Sequence, residues 1–348
     1  WGTAYHASNI LSGRNPAAPM ITLQLTPCKW FQFDYFHAWL VSNVLDSTYF
    51  YLEHTAGSAE PVANYRPYNK FMAANMFTFT PIKHLSLSIG NSIIYAEQTI
   101  QAAYLIPIAF YKSLDHLLTK GIRTQNQNSQ VFASVSVRPV NHLHLYGSFF
   151  VDEVKFKRFK PSYPEKNPIS YLVGFNWSGW PIKGLSLKGE FVRSYIACYT
   201  HSIDVLAWTS NSYNMGHYMG DNAQSIYAEL AYRPVRGLLL KMSYTNDTKY
   251  NSYAYQRDNI GKTISQKPFD HCIYRNNELR LDGIFEPHPN MYLTLSVGYN
   301  HAQGFDNLKE NALPSEDIGN AQHYLDKFCP LYYQGKNFTV SAAFSFGF

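Results

Sequence analysis

No apolar run of about 18 residues, the length a membrane-spanning helix requires, occurs anywhere in the 348-residue chain. The nearest stretch, Thr99 to Leu118, is broken by Gln101, Pro107, Lys112, Asp115 and His116. It fails as a spanning helix. Charge is scarce too: 15% of residues are Asp, Glu, Lys or Arg, and the formal net charge is only +5. So small a surplus gives no sign of a nucleic-acid partner. The four cysteines, Cys28, Cys198, Cys272 and Cys329, lack any CxxC pairing, so neither a zinc site nor a thioredoxin-type site is indicated. HExxH and GxSxG are both missing, and the 13 histidines form no catalytic spacing. The sequence thus points to no enzyme, no cofactor and no metal. A signal peptide and an initiator Met are lacking as well. The chain opens on Trp1, and the expectation is that its beginning has been removed or was never included.

What is abundant is aromatic. Phe, Tyr and Trp make up 16% of the chain, with 28 Tyr, yet the mean hydropathy is only -0.27. The last stretch shows how both can hold. Phe338, Val340, Ala342, Phe344, Phe346 and Phe348 alternate with Thr339, Ser341, Ala343, Ser345 and Gly347. Successive strand residues point to opposite faces, so one face is apolar and the other small and polar. A soluble sandwich strand can alternate in the same way. An apolar strand ending on a terminal Phe is the mark of an outer-membrane barrel, and Phe338, Phe344, Phe346 and Phe348 are the candidate closure residues.

Six proline turns punctuate the chain, at Pro27, Pro81, Pro139, Pro181, Pro234 and Pro287. Proline fixes φ and cannot donate to a ladder, so it stops a strand and seeds a tight turn. Alternating segments of about the length a tilted strand needs to cross a bilayer flank each one. Around Pro234, Ile226, Ala228, Leu230 and Tyr232 are followed by Leu238, Leu240, Met242 and Tyr244, with Glu229, Lys241 and Ser243 on the reverse face. Mid-strand charges fall on the face away from lipid; Arg193, toward the loop end of its strand, is the exception. The other connections are long, as between Tyr199 and Gln224.

These patterns predict an all-β fold: a transmembrane antiparallel outer-membrane β-barrel with short periplasmic turns, long extracellular loops and a periplasmic carboxyl end. Thirteen strands can be read, and the first and last both descend. Since single-chain bacterial barrels are even and antiparallel, 14 or more strands are expected, the early ones preceding Trp1. The whole of 1–348 is read as one barrel domain. Within it, 99–118 has helical spacing around Pro107, as either a packed surface helix or a plug.

The loops supply the candidate binding groups. Lys155, Lys157, Arg158 and Lys160 form a basic stretch able to meet acidic polysaccharide or lipopolysaccharide phosphates. An ordinary solvated loop is the plain alternative. Tyr195, Tyr199, Trp208, Tyr213 and Tyr218 offer flat faces for sugar rings, although aromatics are equally expected in a membrane girdle. Cys272 and Cys329 both fall in loop regions, where a disulfide or free thiols would fit equally.

Several stretches carry a family likeness. Trp1-Gly2-Thr3-Ala4-Tyr5-His6 with Asn9-Ile10-Leu11-Ser12 and Pro16-Ala17-Ala18-Pro19 resembles the opening segment of the Wzi-type capsule assembly family, as found in outer-membrane proteins of the Bacteroidota. Tyr68 to Ala74 leading to Pro81, Tyr104 to Tyr111, Gly184 to Phe191 and Tyr213 to Ala223 are similar to later parts of the same family. The resemblance implies a barrel of about 18 strands that retains capsular polysaccharide at the cell surface by binding it, without catalysis. Its partners would be membrane lipid, lipopolysaccharide and surface polysaccharide, with no nucleic acid. Two other readings stay open: a structural subunit of a larger outer-membrane secretion, gliding or assembly complex with other outer-membrane proteins, and a porin or transporter.

Overall fold

The computed structural model of the chain describes residues 1–14, 16–53, 62–118, 127–152, 156–160, 162–163, 167–251, 267–309 and 316–347. Its strands are β1 (Met20–Cys28), β2 (Phe31–Leu40), β3 (Leu45–Glu53), β4 (Val62–Pro67), β5 (Lys70–Ile82), β6 (Leu85–Ala96), β7 (Gln127–Val140), β8 (Leu143–Val151), β9 (Ile169–Ser178), β10 (Leu185–Ser194), β11 (Thr209–Ser210), β12 (Tyr213–Asn214), β13 (Ala223–Tyr232), β14 (Leu238–Tyr250), β15 (Cys272–His288), β16 (Met291–Gly304) and β17 (Gly335–Phe346). Thirteen of them form a single sheet running from β1 to β17. The pairs β3–β4 and β11–β12 are small hairpins set within long connections. Every ladder in the large sheet is antiparallel, so its two edge strands, β1 and β17, run in the same direction. No ladder joins those edges among the described residues.

The prolines act through bulges as well as turns. The register slips between Leu25 and Cys28, Phe79 and Ile82, Val137 and Val140, and Phe285 and His288, and each slip contains one proline. A residue without an N–H cannot fill a ladder position, so the strand bulges there before turning. Pro181 and Pro234 instead lie within the turns, which close on Gly184 and Gly237 at φ 79° and 81°. A Cβ at either glycine would strike the carbonyl oxygen of Arg233 or Glu286.

Register explains the two faces. Leu187, Leu230, Met242, Leu281, Val297 and Val340 pair in succession across six strands. Of these Leu187, Leu230, Met242, Leu281 and Val340 are exposed large apolar residues, and among the described residues no second sheet lies over them. On the reverse face Lys188 pairs with Glu229, and Lys241 with Asp282. An exposed apolar outer wall with a polar inner wall is what lipid outside and a polar lumen require.

Part of the inside is packed. The ring of Trp1 lies 4.8 Å from that of Phe36 and 5.8 Å from that of Phe132. The connection after β10 folds in beside it, placing Tyr199, Leu206, Trp208 and Met215 in one buried cluster with Ile10, Met72, Ile94 and Phe150. Polar tips in this packing are bonded. Tyr199 donates to the Asn9 carbonyl at 2.7 Å, and Trp208 Nε1 to the Ile10 carbonyl at 3.0 Å.

The 99–118 segment lies on the other side of the wall. Tyr104 and Tyr111 are fully buried against Phe33, Tyr35, Phe71, Ile93 and Tyr95, which belong to the outer face of β2, β5 and β6. The segment therefore lies as a strap over these outward-pointing side chains of the wall. Its second part is helix α1 (Tyr111–Leu118).

Candidate functional site

Beyond the filled core, the loop end of the inner wall retains a cavity of 580 Å³. Strand β14 supplies Thr245, Asp247 and Lys249, three alternate residues that all face inward, and β15 supplies Tyr274, Asn276 and Glu278 in the same way. The amino-terminal segment contributes His6 and Arg14, and the connection after β10 contributes Tyr218 to Gly220. Phe328, at the end of helix α2 (Ala321–Phe328), closes one side.

Tyr218 is the centre of the polar network. Its hydroxyl donates to both oxygens of Asp247, at 2.8 and 2.9 Å, and lies 3.3 Å from His6 Nε2. The Arg14 guanidinium sits 4.4 Å over its ring. Burial, then the Asp247 charge, push the Tyr218 phenol up, so it stays a donor. Burial, then the nearby Arg14 charge, hold the His6 imidazole down at about 4, against a smaller upward pull from Glu229. His6 is thus neutral near pH 7 and stacks on Tyr227 with ring centroids 4.0 Å apart. Lys249 bonds Asp221 Oδ1 at 2.8 Å and the Met219 carbonyl at 3.3 Å. The rings of Tyr274 and Phe328 lie 5.6 Å apart.

Three aromatic faces, two cations, two carboxylates and an amide converge here on a space large enough for a small ligand. Such a lining pairs flat apolar surfaces with directional donors and acceptors, which is the chemistry a polyhydroxylated ring can use from both its faces and its rim. A second inner cavity of 510 Å³ lies nearer the turns, lined by Tyr5, Lys188, Glu229, Arg233 and Lys241 among others. Glu229 is its pivot, with Lys188 at 2.7 Å and Lys241 at 3.6 Å.

The candidate residues read from the sequence scatter. Tyr218 lines the larger cavity. Tyr199 and Trp208 are buried in the inner core, with their polar tips bonded to backbone. Tyr195 packs edge-on against Phe269 at 5.0 Å, and Tyr213 is exposed on β12. Arg158 lies within a short 3-10 turn, Phe156–Phe159, and Lys160 follows it exposed. Lys155 lies outside the described residues, and Lys157 is described in backbone only. Phe338, Phe344 and Phe346 are exposed on the outer face of the edge strand β17, while Phe348 lies outside the described residues. The Cys272–Cys329 disulfide is not formed, and the four cysteines are free. The reason is geometric. A bulge sets Cys272 opposite Tyr250, whereas Cys329 is buried on the inner side against Tyr274 and Ala302.

Sequence reasoning missed His6, Arg14, Asp247, Lys249, Tyr274 and Phe328. The inward alternation of Asp247 and Lys249 is a legible signal; nothing local marks the other four.

A family model described as capsule assembly protein Wzi matches residues 1–312. Among solved structures, Wzi of Escherichia coli, an outer-membrane protein involved in group 1 capsule assembly and described as a carbohydrate-binding β-barrel, aligns at TM-score 0.54 and 14% identity. That alignment covers 92% of this chain and 63% of the E. coli chain, so this sequence spans less than two thirds of that protein. OccD3 (OpdP) and OccK8 (OprE) of Pseudomonas aeruginosa align at TM-score 0.42 each, with 11% and 10% identity, covering 93% and 82% of this chain and 67% of each of theirs. No curated protein matches the sequence.

Proposed function

The chain belongs to the capsule assembly protein Wzi family, and on that footing we propose that it is a non-enzymatic outer-membrane barrel that binds and retains surface polysaccharide. The observation that carries this reading is the state of the barrel interior: it is packed at the loop end by Trp1, Tyr199 and Trp208, yet keeps a 580 Å³ cavity lined by Tyr218, Arg14 and Asp247. An interior packed at the loop end argues against a porin. A polar cavity with aromatic faces supports a binding role. In this reading the long connections are extracellular, the proline turns and carboxyl end periplasmic, and Arg158, Lys160 and Tyr213 on the loops add contacts for a passing chain.

Deleting the gene tests the proposal directly. Cells without the protein are expected to shed capsule into the medium, and the purified barrel to bind the isolated polysaccharide. Full capsule retention in the deletion strain, together with no binding in solution, would overturn it. Planar-bilayer recordings are expected to show little ion conductance.

A further inference from the structure

Arg193 is the charge that breaks the inside-only pattern, and the structure gives it a companion. Its ladder partner is Gln224, which pairs with Thr248, which pairs with Arg275. The two arginines therefore stand in one lateral row on the outer face, at the loop ends of β10 and β15, three strand spacings or about 14 Å apart at the backbone. One row below comes Ile226, Asn246 and Asn277; the next is Ala228, Tyr244 and Leu279. Across β13 to β15 the wall thus passes from cations through amides to aromatic and aliphatic groups, with Lys336 of β17 a further cation in the amide row, as it would on crossing from lipid headgroups into hydrocarbon.

Neither guanidinium has a carboxylate partner among the described residues. Arg193 lies 4.1 Å over the ring of Phe269 and donates from Nη2 to Gln224 Oε1 at 3.3 Å. Its buried Nε has no acceptor among the described residues. A buried donor left unmade is costly, and an acceptor brought to this face would relieve that cost. Arg275 lies 5.7 Å over the ring of Phe305, and both arginines are near enough to Tyr250 to act on its phenol. Stacked, preorganised guanidiniums with donors to spare are the standard receptor for phosphate oxygens.

We propose that this outer rim binds the phosphate groups of a glycolipid in the outer leaflet of the membrane, with Arg193 and Arg275 as the two phosphate ligands. The site is separate from the inner cavity and does not depend on the polysaccharide reading.

The test uses the full chain in mild detergent. Affinity for bisphosphorylated lipid A is read by native mass spectrometry and by the rise in thermal midpoint. Wild type is expected to bind it roughly tenfold or more tightly than the fully dephosphorylated lipid, the value of a charge-assisted hydrogen bond. The Arg193→Gln/Arg275→Gln variant, checked for folding by heat-modifiable gel migration, is expected to lose that preference, while Arg14→Gln in the inner cavity keeps it. Inorganic phosphate at equal concentration is expected not to compete, which separates a lipid headgroup from a free anion. Equal binding of the two lipids by wild type overturns the proposal without any variant; so does an unchanged preference in the folded double variant, or full competition by free phosphate.

Discussion

The side-chain amide of Asn75 donates to the carbonyl oxygens of Pro107 and Ala109, at 2.8 Å each, on the face of the sheet that elsewhere carries leucine, valine and phenylalanine. Its own Oδ1 accepts from Asn91 at 2.7 Å, and Asn91 Oδ1 accepts from the backbone N–H of Tyr111 at 2.9 Å. The external strap therefore turns its polar backbone onto two wall asparagines. Toward the membrane it presents Leu105, Ile106, Ile108 and Phe110. Irregular backbone survives at bilayer depth only where protein satisfies it.

Replacing Asn75 by Leu removes both donors, leaving the Pro107 carbonyl without its donor and the Ala109 carbonyl with Asn91 alone, at 3.4 Å, beside hydrocarbon. The expected loss is about 2–4 kcal/mol, from two unmade bonds. It is read as a lower thermal midpoint and as new proteolysis between residues 101 and 110 in folded protein. A variant as stable and as protease-resistant as wild type would show that the strap is held by its buried tyrosines alone.

Glu229 sits between Lys188 at 2.7 Å and Lys241 at 3.6 Å on the inner wall and accepts the Tyr227 hydroxyl at 2.7 Å. Glu229→Leu leaves Lys188 without its anion and Lys241 with only Asp282, at 3.8 Å, and the expected cost is about 3 kcal/mol, reduced where water reaches the ammonium groups. Adding Lys188→Met to that variant is expected to restore part of the loss. A double variant no more stable than Glu229→Leu would mean that the pair is not coupled.

Docking of the amino-terminal segment is expected to weaken in mild acid. His6 is held neutral inside, with its imidazole down at about 4 against an ordinary value of 6.5. Between those values the released segment binds a proton that the docked one refuses, so docking is fully stable above about 6.5 and weakens as pH falls toward 4. Hydrogen exchange at residues 4–10 followed from pH 7.5 to 4.5 measures this. His6→Phe, which keeps the stacking on Tyr227, is expected to flatten the profile. A wild-type profile already flat over that range would contradict the assignment.

Much of this architecture is legible in the chain. Lipid outside and polar groups inside impose a two-residue period, and proline marks each turn; every strand of the large sheet follows from those two rules. The interior does not follow from them. An aromatic in a long connection looks the same whether it faces a sugar or fills a lumen, so the burial of Tyr199 and Trp208 cannot be read before tertiary packing is known. The strap does leave a trace: Asn75, Asn91 and His37 fall at outward positions where lipid would refuse them. Read as a cluster, they mark a covered patch of wall. The state of the cysteines is not legible in the spacing, since a disulfide and free thiols suit it equally; the structure leaves all four free.

The role of Tyr218 can be separated into its ring and its hydroxyl. The ring lies under Arg14 at 4.4 Å, and the hydroxyl holds Asp247 at 2.8 Å. Tyr218→Phe keeps a flat face in the cavity but frees the Asp247 carboxylate; Tyr218→Ala removes the face as well. If polysaccharide stacks on the ring, the Ala variant is expected to lose roughly tenfold or more in affinity, the effect of removing a central aromatic anchor. The Phe variant is expected to lose several-fold less. The reverse order, with Phe as damaging as Ala, would assign recognition to the Tyr218–Asp247 hydrogen bond instead. Wild-type affinity in both would move the binding surface out of the cavity and onto the loops, where Tyr213→Ala and Lys160→Ala then become the variants that must show the loss.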